Sequence, residues 1–182
     1  MAFKDTILSF EEDKIVTEDD REVMMLWEAP IMEKSAEYIC ESKGDILEIG
    51  FGMGICSDYI QSQDVNSHTI VEIHPQVIEK LKVWSEDKDN VTIVEGDWDS
   101  LELGTYDGIF LDTFADYSLD KFKEFAIAKS NPSAKITYWN NFADNRNKYG
   151  FDDISFEEIS VSPEDNMYTK IIDTYYMPKV GL

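Results

Sequence analysis

The sequence predicts an α/β fold: a doubly wound, mostly parallel sheet closed by a C-terminal antiparallel hairpin. Two patterns predict it. Between residues 45 and 140, short Ile- and Val-rich runs alternate with helix-compatible stretches, the signature of βαβ units. After residue 150 the alternation stops, and two β-rich runs, "FDDISFEEISV" and "NMYTKIIDTYYM", are separated only by "SPED".

The elements follow in order. Residues 1–20 read as a mixed, acidic arm. "REVMMLWEAPIMEKSAEYICESK" (21–43) has apolar spacing close to helical, broken at Ala29-Pro30, because the residue before proline disfavours the helical region. This predicts a short helix, a corner from Glu28 to Pro30, and a longer helix from Ile31. Strands are expected at 46–50, 68–73, 91–96, 106–112 and 134–140, and helices near 55–62, 75–87 and 119–129. Pro75 suits a first helical position, where its missing N–H costs nothing. The strands are rich in Ile and Val, as strands buried on both faces should be. In the final pair, Asp152, Asp153, Glu157 and Glu158 read as charges that protect a sheet edge.

A chain of 182 residues is expected to form one domain, 1–182, in which 1–43 supplies an N-terminal arm and helices covering the site. With 43% hydrophobic residues there is enough for a real core. The charge balance is the unusual feature: 38 acidic against 16 basic residues, a net −22. Such a field repels nucleic-acid phosphate and anionic membrane and favours cationic partners. No stretch approaches a transmembrane helix, and "MAFKDTILSFEEDK" lacks the apolar core of a signal peptide, so a cytoplasmic location is expected. Cys40 and Cys56 read as buried thiols rather than a bridge. His68 and His74 bracket the second strand of the alternating region without a Cys or Asp cluster. They read as surface or strand-end residues, and no metal site is expected.

"DILEIGFGMGICSDYI" (45–60) carries the first chemical signal. A strand meets Gly50, Gly52 and Gly54 and then a helix. The dinucleotide fingerprint G-x-G-x-x-G/A is missed, since the third glycine comes one residue early and Ile55 occupies its slot. A phosphate-binding P-loop is excluded, because no Gly-Lys-Ser/Thr follows. The pattern E-x-G-x-G-x-G, with Glu48 leading, looks like the S-adenosylmethionine site of class I methyltransferases. That ligand carries no pyrophosphate. Its ammonium and sulfonium suit an acidic residue and a close backbone approach, which glycine permits. Glu72 ends the next strand, where a carboxylate can accept ribose hydroxyls. Asp97 ends the third and can accept from the adenine amino group, with Trp98 against the ring.

Two further segments identify a family. "VMMLWEAPIM" (23–32) and "GIFLDTF" (108–114), together with "EIGFGMG", resemble the guanidinoacetate N-methyltransferase family and its relative, the fungal protein-arginine δ-N-methyltransferase. The resemblance covers about residues 13–182. It implies that Glu28 and Asp112 grip a guanidino group, that Thr113 and Asn140 lie on the acceptor side, and that Met24 lies against the cofactor. It also implies that the glycine turn with Phe51, and Glu72, Asp97 and Trp98, hold S-adenosylmethionine, with Asp112 bordering it.

The chemistry agrees with that assignment. A guanidinium is protonated at any working pH, so its nitrogens lack a free lone pair. It must also approach a sulfonium, and two unit charges at 4 Å repel by about 4 kcal/mol at an effective dielectric near 20. Two carboxylates offset this and orient the fork. Asp112 is assigned as general base and Glu28 as clamp.

The chain departs from the family at three places. "SNPSAKI" replaces K-P-G-G, Phe114 replaces a tyrosine, and "NNFADNRNKYGFD" (140–152) replaces a substantial helix near the acceptor. The expected activity is methyl transfer to a guanidino nitrogen of a small molecule such as guanidinoacetate. The alternatives are an arginine side chain of a protein, a non-guanidine amine, or cofactor binding without catalysis.

Overall fold

The computed structural model describes residues 2–114, 119–140, 148–163 and 173–182. A seven-stranded sheet forms its centre, in the order β6-β5-β4-β7-β8-β10-β9. The parallel strands are β4 (Asp45–Ile49), β5 (Ser67–Glu72), β6 (Val91–Glu95), β7 (Tyr106–Leu111) and β8 (Ser130–Tyr138). β9 (Ser155–Ser160) and β10 (Thr174–Gly181) form the antiparallel edge pair, with Thr174 opposite Ser160 and Lys179 opposite Ser155. The doubly wound sheet and its C-terminal hairpin are as the sequence predicts.

The strands are buried on both faces, which explains their continuous apolar runs. Ile46 and Phe110 face a core shared with α1 (Ala29–Ile39) and α2 (Ile55–Gln61). Leu47, Ile49, Ile109 and Leu111 face a second core with α4 (Phe122–Ala128). Along β4, Glu48 shares the face of Ile46, because side chains alternate with period two. Its complete burial is therefore a consequence of register, and it needs polar partners.

The chain winds outward from β4 through β5 to β6, then returns beside β4 as β7. The β4–β7 junction is the switch point where such sheets bind ligands, at the strands' carboxyl ends. Gly50 closes that junction. Its φ is +93°, and a Cβ there would collide with the Asp112 carbonyl. Only glycine lets the two strand ends meet.

The N-terminal region differs from expectation. Residues 22–25, expected in a short helix, form strand β3 (Glu22–Met25). It pairs antiparallel with β2 (Lys14–Thr17), which pairs with β1 (Leu8–Phe10). The run Val23–Met25, followed by a 3-10 turn over Leu26–Glu28, is too short for periodicity to separate helix from strand. Pairing with β2 decides it, placing Met24 opposite Ile15. This meander packs on α3 (Pro75–Ser85) through Leu8, Ile15, Val77 and Leu81. The Leu8 N–H donates to Gln76 Oε1 (2.8 Å), and Gln76 Nε2 donates to the Leu8 carbonyl (3.1 Å).

Smaller differences concern element ends. β8 starts at Ser130, four residues before its predicted start, and the helix expected at 119–129 is a 3-10 turn (Leu119–Lys121) followed by α4. β9 lies at the open edge, and its Glu157 pairs with Lys179 of β10 at 2.9 Å. Residues 164–172 between the hairpin strands, and most of the 140–152 segment, lie outside the described residues. Among those described, no helix is long and apolar enough to cross a membrane.

Candidate active site

A cavity of about 710 Å³ opens at the carboxyl ends of β4–β7. Its lining brings together Met24, Glu48, Gly50, Phe51, Gly52, Glu72, Asp97, Trp98, Asp112 and Thr113, residues predicted from separate stretches. Glu28, Gly54 and Asn140 lie outside this lining. Phe3 and Phe114 close the near side, with ring centroids 5.0 Å apart.

The glycine turn is bound into the fold. Gly52 has φ +55°, and a Cβ there would meet the Met24 sulfur. That sulfur accepts from the Met53 N–H at 3.1 Å. Met24 therefore reaches the turn from β3, the strand that sequence spacing misread. Gly54 caps α2 in the left-handed region.

Each carboxylate has a defined environment. Glu72 accepts three backbone N–H groups: Phe51 (2.9 Å) on Oε2, and Ile73 and His74 (2.8 Å each) on Oε1. Burial pushes its carboxyl up, and these N–H groups oppose the shift. The four lone-pair positions of a carboxylate leave one more for a ligand donor. Glu48 is fully buried and accepts from Ser57 Oγ (2.5 Å) and His68 Nε2 (2.9 Å), both on Oε2. Its Oε1 has no partner among the described residues.

The proposed acceptor clamp is more exacting. Glu28, at the start of α1, is buried, and its Oε1 accepts from the Met25 N–H at 2.8 Å. Burial and then the Asp112 charge push its carboxyl well above the carboxylate range. Asp112 is half-buried, open to the cavity but deep beneath the protein surface. Burial, followed by the charges of Glu48 and Glu72, pushes it up to about 7. Among the described residues, neither Glu28 nor Asp112 pairs with a lysine or arginine. Four acidic side chains thus converge with no lysine or arginine paired to them among the described residues, and Glu48 is held by the His68 imidazole.

An aromatic wall stands beside the clamp. Trp139 stacks on Tyr175 (5.1 Å) and tilts against Trp27 (6.4 Å). The Tyr175 hydroxyl accepts the Asn140 N–H at 2.7 Å, and Asn140 Nδ2 donates to the Tyr176 carbonyl. Asn140 thus anchors β8 to β10 behind the site. Trp98 packs edge-on against Phe125 (4.8 Å) while also lining the cavity, so it is at once core and wall.

His68 lies within β5 and His74 two residues beyond its end, but neither lies at the surface: both are fully buried. His74 Nδ1 accepts from the Gln76 N–H (3.2 Å), and its Nε2 lies 3.1 Å from the Thr6 carbonyl. Sequence spacing does not single out His68, which lies against Glu48. The only signal was period two, which puts it on the face of Glu48 once Ile46 is paired with His68. Cys40 and Cys56 are free and buried, and burial and then the Glu48 charge push both thiols up. Among the described residues, no group of three His, Cys, Asp or Glu side chains is placed to hold a metal ion.

The donor set fits S-adenosylmethionine: an unpartnered buried carboxylate oxygen, a glycine turn without side chains, and acids at successive strand ends. Comparison with known proteins agrees on the family. A protein arginine N-methyltransferase 2 from Aspergillus oryzae is 40% identical over 102 residues, covering 54% of this chain and 24% of that protein. The one from Kluyveromyces lactis is 42% identical over 102 residues, covering 52% and 25%. The chain therefore spans about a quarter of the length of the curated relatives it matches. The fold is shared with the N-methyltransferase NodS from Bradyrhizobium japonicum in complex with S-adenosylhomocysteine. Its TM-score is 0.65 at 10% identity, covering 85% of this chain and 87% of that one. The family model described as guanidinoacetate N-methyltransferase matches residues 3–162, and the chain belongs to that family.

Proposed function

We propose that the chain is an S-adenosylmethionine-dependent N-methyltransferase acting on the guanidino group of an arginine side chain in a protein. One observation carries the guanidino reading: Glu28 is buried within reach of the Asp112 charge, and neither has a lysine or arginine partner among the described residues. A guanidinium supplies the missing charge, and its planar fork of donors matches two carboxylates. The curated relatives, named as protein arginine methyltransferases, favour an arginine side chain over a free small molecule. A net charge of −22 suits a basic protein partner.

When bound, S-adenosylmethionine supplies the methyl group. Glu28, fixed by the Met25 N–H, orients the guanidinium from one side. Asp112, shared between the cavity and the clamp, takes the proton that the attacking nitrogen loses as its bond to carbon forms. The cation beside it keeps Asp112 ionised until then, so the acceptor creates the base that it needs. Positioning contributes most of the remaining acceleration.

A small-molecule acceptor such as guanidinoacetate is the second reading, favoured by the family model's own description. The two separate in one experiment. The protein is incubated with S-adenosylmethionine and either arginine-containing proteins and peptides or a panel of small guanidines. S-adenosylhomocysteine release and peptide mass are followed. A mass gain of one methyl on arginine supports the first reading, and turnover confined to small guanidines supports the second. Cofactor binding without turnover on any guanidine overturns both.

A further inference from the structure

The Glu48 carboxylate is used unevenly. Its Oε2 accepts two hydrogen bonds, from Ser57 Oγ and His68 Nε2, while its Oε1 has no partner among the described residues. All three side chains are fully buried. The imidazole is itself held. Its Nδ1 lies 3.2 Å from the Gln61 amide nitrogen, which can only donate, so Nδ1 accepts and the proton sits on Nε2. The orientation of the Gln61 amide assigns this tautomer. The ring stands edge-on to Trp84 with centroids 6.3 Å apart, and Trp84 Nε1 donates to Asp58 Oδ1 at 2.7 Å.

A buried carboxylate oxygen without a donor is costly, and native folds rarely leave one. Glu48 lines the cavity, so a ligand can supply that donor. The identity of the holder matters here. A lysine or arginine in the place of His68 would orient Glu48 but cancel its charge. A neutral imidazole N–H orients the carboxylate and leaves the charge for a cationic ligand.

We propose that His68 is a positioning residue for the amino-acid end of the cofactor: with Ser57 it holds Glu48 by Oε2, so that Oε1 receives the ligand's α-ammonium. The proposal rests on the reading of the cavity as an S-adenosylmethionine site. It explains why a histidine is buried in a strand where Ile or Val would otherwise serve. It also assigns Gln61 a role, since its amide fixes the tautomer that donates to Glu48.

Two nucleosides test this by calorimetry. S-adenosylhomocysteine carries the amino-acid end, and 5′-methylthioadenosine does not. His68→Phe fills the same space without a donor. It is expected to weaken S-adenosylhomocysteine about 10- to 100-fold, the range for a lost hydrogen bond to a charged group. Binding of 5′-methylthioadenosine stays within about twofold on the same reasoning. His68→Gln, whose amide nitrogen reaches the place of Nε2, restores most of the affinity. If His68→Phe does not fold, His68→Asn, which stops short of Glu48, gives the same selective loss. Equal weakening of both nucleosides, or none of S-adenosylhomocysteine, overturns the role of His68 while leaving the cofactor reading intact. Wild-type protein that binds neither nucleoside overturns the cofactor reading and this proposal with it.

Discussion

Replacing the proposed base should make the unliganded protein more stable, and only at the pH where the base is charged. An ordinary aspartate titrates at 3.8, and burial beside Glu48 and Glu72 moves Asp112 to about 7. Each tenfold change in proton affinity is worth about 1.4 kcal/mol, so ionised Asp112 costs the fold about 4 kcal/mol at most. Water in the cavity screens part of this, and about 2 kcal/mol is a fair expectation. The sign follows from proton counts. Between pH 4 and 7 the folded state holds a proton that the unfolded chain has released, so stability falls as pH rises through that window. Below it both states are protonated and the penalty is absent. Asp112→Asn removes the charge while keeping the shape. At pH 8 the melting temperature should rise by roughly 4–8 °C, at 2–4 °C per kcal/mol for a chain of this size. Near pH 4.5 the gain should shrink to within about 1–2 °C by the same conversion. Turnover of the variant should be nearly abolished, while S-adenosylhomocysteine still binds. Thermal melts of both proteins at the two pH values decide the matter. An equal gain at both, or a loss at pH 8, refutes the electrostatic account of Asp112.

Three other outcomes follow from the same geometry. Glu28→Gln keeps the bond to the Met25 N–H but removes a charge from the clamp, so kcat/KM for the acceptor should fall about 10- to 100-fold with cofactor affinity unchanged; steady-state kinetics beside calorimetry would show it, and an equal loss of cofactor affinity would count against the clamp. In wild-type protein, kcat/KM for the acceptor should fall as pH drops below about 7, because the free enzyme's Asp112 is then protonated. A flat profile from pH 8 to 5.5 would contradict the base assignment. Gly50→Ala should cost about 3 kcal/mol or more, since it forces a side chain into a positive-φ position against the Asp112 carbonyl. A melt within 2 °C of wild type would show that the β4–β7 junction is looser than described.

The contrast between what the sequence disclosed and what it concealed has a physical cause. Strands β4 to β8 were readable because burial on both faces leaves continuous apolar runs between turn signals. β3 was not, because Val23, Met24, Leu26 and Trp27 satisfy helical spacing by accident, whereas pairing with β2 makes Glu22–Met25 a strand and Leu26–Glu28 only a 3-10 turn. β1 and β2 are short, and their place depends on α3, far along the chain. Among site residues, the acids at strand ends were legible as a series. The union of Glu28 with Asp112 was not legible from periodicity and came through the family resemblance. His68 needed the β4–β5 register, which no local pattern supplies.

The reason for so many buried acids lies in the balance between the empty and the loaded site. Glu28, Glu72 and Asp112 all carry carboxyls pushed above their ordinary range. A site built for stability would pair them with lysine or arginine, and among the described residues it does not. The repulsion is instead left for cationic ligands to relieve, at about 4 kcal/mol for each opposite charge brought to 4 Å at an effective dielectric near 20. This ordering also times the base. Asp112 is a poor carboxylate while the cavity lacks cations and a good one when a guanidinium lies against it. Methyl transfer moves the sulfonium's positive charge onto the attacking nitrogen, whose proton becomes strongly acidic just where Asp112, raised by burial and by its acidic neighbours, stands ready to accept it. The excess of acid that destabilises the empty site is, on this account, what drives the proton in the right direction when it is filled.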